Sequence, residues 1–393
     1  MYFSSQDEKQ KIYYERMLKI IGSLSGLYSD SEAPFLHYRT TENLFCKAFM
    51  ANNLSRGDTS ADASKDGVGF GIKTFLNNNG NSFQKVAEFN KDYRVFSSLP
   101  VKERIIKIAG LRNERIEATK RIHGLSDIVY HCITRDSKHI FVFETPMDKV
   151  DITSIKDITA DEDDKSIKFN DGKSDYNFNV TKSTLLKRFK TENVLMDIEV
   201  DILNDPFEIL EKLFADIQKD LVFSNIKEQE HVFLPLYSKT KSRGRFVAEK
   251  SGLNQWNAGG RKRDYDEVYI PIPSWIHKEY ADFFPPRDTP FELRLPNKKS
   301  LKVKLCQDGS KALMSDPNKA LGEWLLRDVM ALDEGELLTV NRLDEIGLDS
   351  VVIYKIDDST FEIDFTKTGS FDNFKENKLI LDIGPEDDLL EEE

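Results

Sequence analysis

Residues 251–273 read Ser-Gly-Leu-Asn-Gln-Trp-Asn-Ala-Gly-Gly-Arg-Lys-Arg-Asp-Tyr-Asp-Glu-Val-Tyr-Ile-Pro-Ile-Pro. Arg, Asn, Gln and Trp gather around a glycine pair, and an aromatic-rich strand pattern follows directly. Arg forks and Asn or Gln amides are the side chains that match base edges in a DNA major groove. Working outward, 239–263 holds Lys239, Lys241, Arg243, Arg245, Lys250, Arg261, Lys262 and Arg263 against one acid, Glu249. Beyond it the chain breaks into short strand patterns with turn signals: a Phe283-Phe284-Pro285-Pro286 corner, then 291–295, 301–305 and 351–354. That punctuation predicts a small β barrel or sandwich.

The formal net charge of −12 argues against a protein that coats nucleic acid without selectivity. Part of that charge is local, because 382–393 carries seven acids and no base. DNA responds to the field within roughly a Debye length, about 8–10 Å, so the basic run acts independently of the distant tail. The 393 residues are enough for two or three domains, and the acidic end reads as a disordered tail. No apolar run approaches the ~20 residues of a membrane span. The N-terminal residues lack the order of a secretory signal, and Cys46, Cys132 and Cys306 show no CxxC pairing, so a reducing cytoplasm is the expected location.

In the N-terminal half, 6–22 and a segment starting near Thr40 or Thr41 read as helices. Extended pieces at 59–64 and 68–76 flank an Asp66-Gly67 turn signal. A helix is expected over 83–91, with Ser82 opening it, and a long one over 101–122. Strands follow at 128–133, 140–144 and 175–180, then helices at 183–189 and 207–221. The expected fold class is therefore an α/β (α+β) domain over 1–225 and a small all-β barrel or sandwich over 230–375, with the tail at 382–393.

The chemistry concentrates in Glu42, Asp62, Lys73 and Glu88. A carboxylate on one strand of a hairpin and a lysine on its neighbour can converge on one point. Magnesium keeps waters and needs only one or two carboxylates when phosphate supplies further oxygens. The lysine can hold an attacking water and offset charge growing on phosphate. The bland readings are a turn residue for Asp62 and an exposed edge lysine for Lys73. GxxxxGK[ST] is not satisfied, since Ile72 separates Gly71 from Lys73. His123, His131, His139 and Cys132 lack ligand spacing. Arg112, Arg115, Lys120, Arg121, Lys182, Ser183, Lys187 and Arg188 could touch phosphates, but solvated faces are the simpler reading.

Asp62 and Lys73 in this setting resemble the PD-(D/E)XK nuclease superfamily, in which the second acid stands two positions before the lysine. Here that position is Gly71. The resemblance implies magnesium held by Asp62 and, in a swap to the following helix, by Glu88, with Gln84 a weaker candidate one turn earlier. Glu42 would orient metal-bound water or Lys73.

The segment from about 233 to 365 resembles the specificity domain of NgoFVII-type restriction endonucleases, related to plant B-three-type transcription factors. It carries the opening motif, the double-Phe corner, Cys306-Gln307-Asp308-Gly309-Ser310-Lys311-Ala312 and Asn318-Lys319-Ala320-Leu321-Gly322-Glu323-Trp324. The resemblance implies an all-β pseudobarrel with two arms gripping a major groove, at 243–263 and about 304–318. Asn254, Gln255, Asn257, Arg261, Gln307 and Lys311 would reach bases. Lys239, Lys241, Arg243, Lys250 and Arg263 would reach phosphates. Trp256 would pack on DNA or anchor its arm, while Trp275, Trp324, Phe283 and Phe284 belong to the core. Together the two resemblances imply a type II restriction endonuclease cutting double-stranded DNA, homodimeric at least on DNA. A DNA methyltransferase acting on the same site would protect the host. The alternative is a sequence-specific DNA-binding regulator without catalysis, and Gly71 keeps it open.

Overall fold

The structure, a computed structural model, describes residues 2–54, 59–217, 229–240, 242–254 and 264–382. The chain divides into two compact units, one of Met1–Lys120 with Gly124–Lys227 and one of Arg121–His123 with Glu228–Glu393. No helix among the described residues is long and apolar enough to cross a membrane.

The first unit opens with helix α1 (Glu8–Ser23), capped by the Asp7 side chain accepting from the Lys9 amide. Helix α2 (Tyr38–Phe49) stops where Met50 takes a left-handed conformation. Short strands β1 (Asn52–Asn53) and β2 (Ala63–Lys65) lead into β3 (Val68–Leu76). Asp66 and Gly67 both have positive φ, the backbone that a tight hairpin turn demands. Strand β4 (Asn81–Glu88), the short α3 (Tyr93–Phe96) and the long α4 (Val101–His123) follow. Strand β5 (Asp127–Asp136) then runs parallel to β3 over their whole shared length, Val68 facing Asp127 and Leu76 facing Arg135. A parallel neighbour requires such a crossover, and α4 provides it. Strand β6 (His139–Pro146) adds antiparallel to β5. Strands β7 (Lys156–Ala160), β8 (Ser166–Asn170), β9 (Asp175–Asn179) and β10 (Thr184–Lys190) precede β11 (Met196–Glu199) and helix α5 (Pro206–Ile217).

These strands form two sheets, ordered β1-β2-β3-β5-β6-β11 and β4-β10-β9-β8-β7. One face of the first sheet is covered by α1 and α2 through Tyr14, Leu18, Phe45 and Phe49 against Phe70, Ile72 and Ile133. Its other face shares an apolar cluster of Phe75, Tyr130, Cys132 and Met147 with Ile116 of α4 and Phe189 of β10. Farther back along α4, Ile105, Ile108 and Leu111 pack with Phe178 and Leu185 of the second sheet.

Two expected helices are strands. Residues 83–91 put Phe83, Val86 and Ala87 at helical spacing, and 183–189 look equally amphipathic. In the fold β4 and β10 pair with each other, from Asn81 opposite Lys190 to Glu88 opposite Thr184. A partner about a hundred residues away in sequence overrides the local pattern.

The second unit contains β12 (His231–Pro235), the hairpin β13 (Ser238–Thr240) and β14 (Gly244–Phe246), β15 (Ile270–Pro271) and α6 (Ser274–Glu279). Strands β16 (Phe291–Arg294), β17 (Ser300–Cys306) and β18 (Ala312–Ser315) come next. Helix α7 (Ala320–Gly322) runs into a π-helical stretch (Glu323–Val329), then α8 (Val340–Ile346), β19 (Leu348–Lys355), β20 (Thr360–Lys367) and α9 (Ser370–Asp382). Seven strands make one sheet in the order β12-β19-β20-β16-β17-β18-β15. Its end strands β12 and β15 come back against each other, so the sheet is a nearly closed barrel. Leu234, Leu293, Val303, Leu313, Val351 and Phe365 fill it, with Trp324, Phe283 and Phe284 buried as expected. Trp275 is only partly buried, beside Phe371 and Phe374. The acidic tail expected at 382–393 lies, beyond Asp382, outside the described residues.

Candidate active site and DNA-facing arms

Strand β2 covers only the first residues of β3, with Ala63 opposite Phe70. From Ile72 onward that edge of β3 has no strand paired to it among the described residues. Asp62, the residue before β2, closes the gap. Its amide donates to the Phe70 carbonyl at 2.7 Å, and its Oδ2 accepts from the Ile72 amide at 2.7 Å. The carboxylate is thus held in the plane of the sheet. Lys73 follows on β3, and Glu42 stands on α2 one turn before Phe45 and Cys46, where packing on the sheet fixes it.

The three groups feel one another. Burial pushes the Glu42 carboxyl up to about 7, and the Asp62 charge adds to this, while Arg39 and Lys73 oppose it. Arg39 Nη1 donates to Glu42 Oε2 at 2.8 Å. Burial also raises Asp62, against the pull of Lys73, the Ile72 amide and Arg39. Lys73 is held below the ordinary lysine range by burial, with Asp62 opposing and Arg112 reinforcing the shift. The structure therefore places Glu42, Asp62 and Lys73 within reach of one another's charges.

Glu88 is different. It ends β4 of the other sheet, so the helix assumed for it is absent. Its side chain pairs with Lys85 at 2.9 Å and accepts from Asn90. Lys73 and Arg39 are among the charges acting on Asp62, and Lys85, the partner of Glu88, repels Lys73. Gln84 donates to Ser82 Oγ at 2.6 Å on the same strand.

Gly71 has a steric explanation. A Cβ there would lie 2.6 Å from Met147 Cε and 3.2 Å from Tyr130 Cδ1. The position where the superfamily pattern expects an acid is filled by apolar neighbours, so no carboxylate can stand there without moving them.

Three neighbours lie outside the expected group. Arg112 is 4% exposed, and its guanidinium donates to Tyr130 Oη at 2.7 Å and Ser60 Oγ at 3.3 Å. Lys187 is 7% exposed, with Nζ 5.7 Å from the Tyr130 ring centre and 5.8 Å from that of Phe189. Solvated faces were the expectation for both, and burial overturns it. The i, i+3 spacing of Arg39 and Glu42 was the one local sequence signal for the Arg39 contact. Arg115 pairs with Asp92 at 2.6 Å and Lys120 with Asp127 at 3.5 Å. His131 is structural, bonded to Tyr14 Oη at 3.0 Å and to Glu144 at 3.3 Å.

Of the DNA-facing candidates, Lys241, Gln255, Trp256, Asn257, Arg261 and Arg263 lie outside the described residues. Lys250 and Lys311 are exposed. Arg243 stacks over Phe246 at 4.5 Å, and Lys239 pairs with Asp372 at 2.6 Å. Gln307 has a positive φ of 68° at the bend between β17 and β18. Asn254 does not face outward. It is 5% exposed, donates to the Ala248 and Leu338 carbonyls and accepts from the Leu338 amide, so its amide is spent on bracing the arm. Arg245, in the same basic run, forks between Asp344 and Asp349 at 2.6 Å each.

No curated protein matches this chain. Residues 227–357, about a third of the chain, match the family model of the NgoFVII C-terminal B3-like DNA-binding domain, so this part is similar to the DNA-binding domain of a restriction enzyme.

Proposed function

We propose that this chain is a type II restriction endonuclease that hydrolyses double-stranded DNA at a short specific sequence with magnesium. The observation that carries the catalytic half is the meeting of Glu42, Asp62 and Lys73 at the uncovered edge of β3. The similarity of 227–357 to a restriction-enzyme DNA-binding domain carries the recognition half. The crossover from β3 through α4 to a parallel β5, with an acid on the preceding helix, is also what a PD-(D/E)XK-like domain would need.

The donor set suits magnesium. Burial raises the proton affinity of both carboxylates, and the Asp62 charge raises that of Glu42 further, so both would gain from a divalent cation, with phosphate oxygens and waters as its other ligands. Asp62 and Glu42 would hold the ion, which takes for Glu42 the ligand role first assigned to Glu88. When bound, it polarises the scissile phosphate and lowers the pKa of a water. Lys73 orients the attacking water and balances charge on the phosphate oxygens. The Ile72 amide fixes Asp62, and Arg39 fixes Glu42, so neither carboxylate must reorganise during the reaction. In the second unit, Gln307 and Lys311 would reach bases, while Lys239, Arg243 and Lys250 would hold phosphates.

Cutting both strands requires two centres, so a homodimer on DNA follows, and a methyltransferase with the same specificity would protect the host's own sites in the cytoplasm. A catalytically silent DNA-binding regulator is the second reading, favoured by Gly71 in place of an acid. Digestion of plasmid DNA with magnesium separates the two: discrete bands support the endonuclease, and a mobility shift without fragments supports the regulator. Lys73→Ala should retain DNA binding and lose cleavage.

A further inference from the structure

Strand β10 alternates Leu185, Lys187 and Phe189 toward the interior. A lysine in the middle of that row is costly unless something pairs with its charge. Among the described residues Lys187 makes no hydrogen bond and no ion pair. It rests over the rings of Tyr130 and Phe189. Asp148 and Asp171 act on it at longer range. Asp171 is already engaged, accepting from the amides of Asp151, Lys173 and Ser174 and from Tyr176 Oη. Arg112 is equally buried, and its side-chain partners are neutral hydroxyls. Tyr130 joins the two cations: it accepts from Arg112 and lies under Lys187. Arg112 also repels both Lys73 and Lys187. Lys73, Arg112 and Lys187 thus gather around Tyr130 and Cys132, and among the described residues neither Arg112 nor Lys187 has a carboxylate hydrogen-bonded or ion-paired to it.

We propose that Arg112 and Lys187, joined through Tyr130, form a phosphate subsite beside Lys73 that takes a DNA backbone phosphate next to the one cleaved. This rests on the endonuclease reading and extends it. An anion with oxygens on several sides satisfies an Arg fork and a lysine together, which a single water does not. The subsite would position the strand, leaving the bond-breaking step to Glu42, Asp62 and Lys73.

The test uses the full chain in chelator, so that cleavage plays no part. Inorganic phosphate should raise the melting midpoint above that in chloride of equal ionic strength. Lys187→Met should abolish this phosphate response and melt no lower than the parent without phosphate, because an unpaired buried charge is gone. For duplex DNA, Lys187→Met should flatten the slope of log K against log salt by about 0.9, one phosphate contact. A parent chain indifferent to phosphate overturns the proposal, and so does a Lys187→Met protein with an intact phosphate response or an unchanged salt slope. Should Lys187→Met fail to fold, Arg112→Lys must weaken the phosphate response several-fold, and an unweakened response overturns the proposal. Failure of the endonuclease reading itself would appear elsewhere, as intact plasmid after incubation of the parent protein with magnesium.

Discussion

Asp62 Oδ2 accepts the Ile72 amide at 2.7 Å, so a carboxylate replaces the missing strand beside β3. One oxygen is committed to the backbone and the other stays available. Function and fold can therefore be separated at this residue. Asp62→Asn retains an acceptor for Ile72 and should keep stability within about 1 kcal/mol while abolishing magnesium-dependent cleavage. Asp62→Ala orphans the Ile72 amide and should cost a further ~1–3 kcal/mol. Urea denaturation together with plasmid digestion reads both. Equal stability for the two variants would remove the edge-capping role.

Glu42 sets a pH dependence for the chelated protein. Its folded pKa of about 7 lies above the ordinary 4.5, because burial and the Asp62 charge both disfavour the anion. A raised carboxyl means that the folded state holds the proton more tightly. Its contribution is fully present below about pH 4.5 and is lost as pH rises through 7, a change on the order of 3 kcal/mol. Glu42→Gln should flatten this limb and be more stable than the parent near pH 8. Urea midpoints across the range, in chelator, measure it. A parent curve with no such fall between pH 5 and 8 would contradict the burial argument.

Gly71 tempts one to restore the superfamily acid, and the geometry predicts that this fails. Gly71→Ala asks the flexible end of Met147, at 2.6 Å, to give way, with Tyr130 Cδ1 next at 3.2 Å, so its cost should be about 1 kcal/mol or less. Gly71→Glu adds a carboxylate among Met147 and Tyr130 and should be less stable still, with no gain in cleavage. Thermal melts of the two variants beside the parent check the order. Faster cleavage by Gly71→Glu would mean that the site accepts its acid from β3 after all.

Much of this was legible in the sequence, unevenly. Helices α1, α2 and α4 and strands β3, β5 and β6 carry their own periodicity, and the basic, amide-rich run at 239–263 sits in the part that matches a DNA-binding family. Asp62 and Lys73 could be found because a hairpin turn places them together, and Glu42 because its helix packs on that hairpin. Strands β4 and β10 could not, since each is made a strand by the other across the intervening chain. For the same reason Glu88 looked like a helical ligand, and Lys187 looked like a solvated charge. Asn254 shows a different limit: an Asn beside Arg-rich residues reads as a base contact until its carbonyl partners are known.

The two arms of the second unit should separate under mutation along that last line. Asn254→Ala removes three hydrogen bonds that tie its segment to Ala248 and Leu338, leaving the Leu338 amide and two carbonyls without their partner. Buried groups left unsatisfied cost about 1–3 kcal/mol each, so this unit should lose stability well beyond 1 kcal/mol, and any loss of DNA affinity should follow the loss of fold. Lys311 is exposed, and among the described residues its side chain makes no hydrogen bond or ion pair, so Lys311→Ala should leave stability within about 0.5 kcal/mol of the parent while weakening DNA binding. Melting curves and DNA titrations on both variants provide the comparison. If Asn254→Ala were fully stable yet bound DNA poorly, Asn254 would turn outward to the groove when DNA is present, and the bracing role would fall.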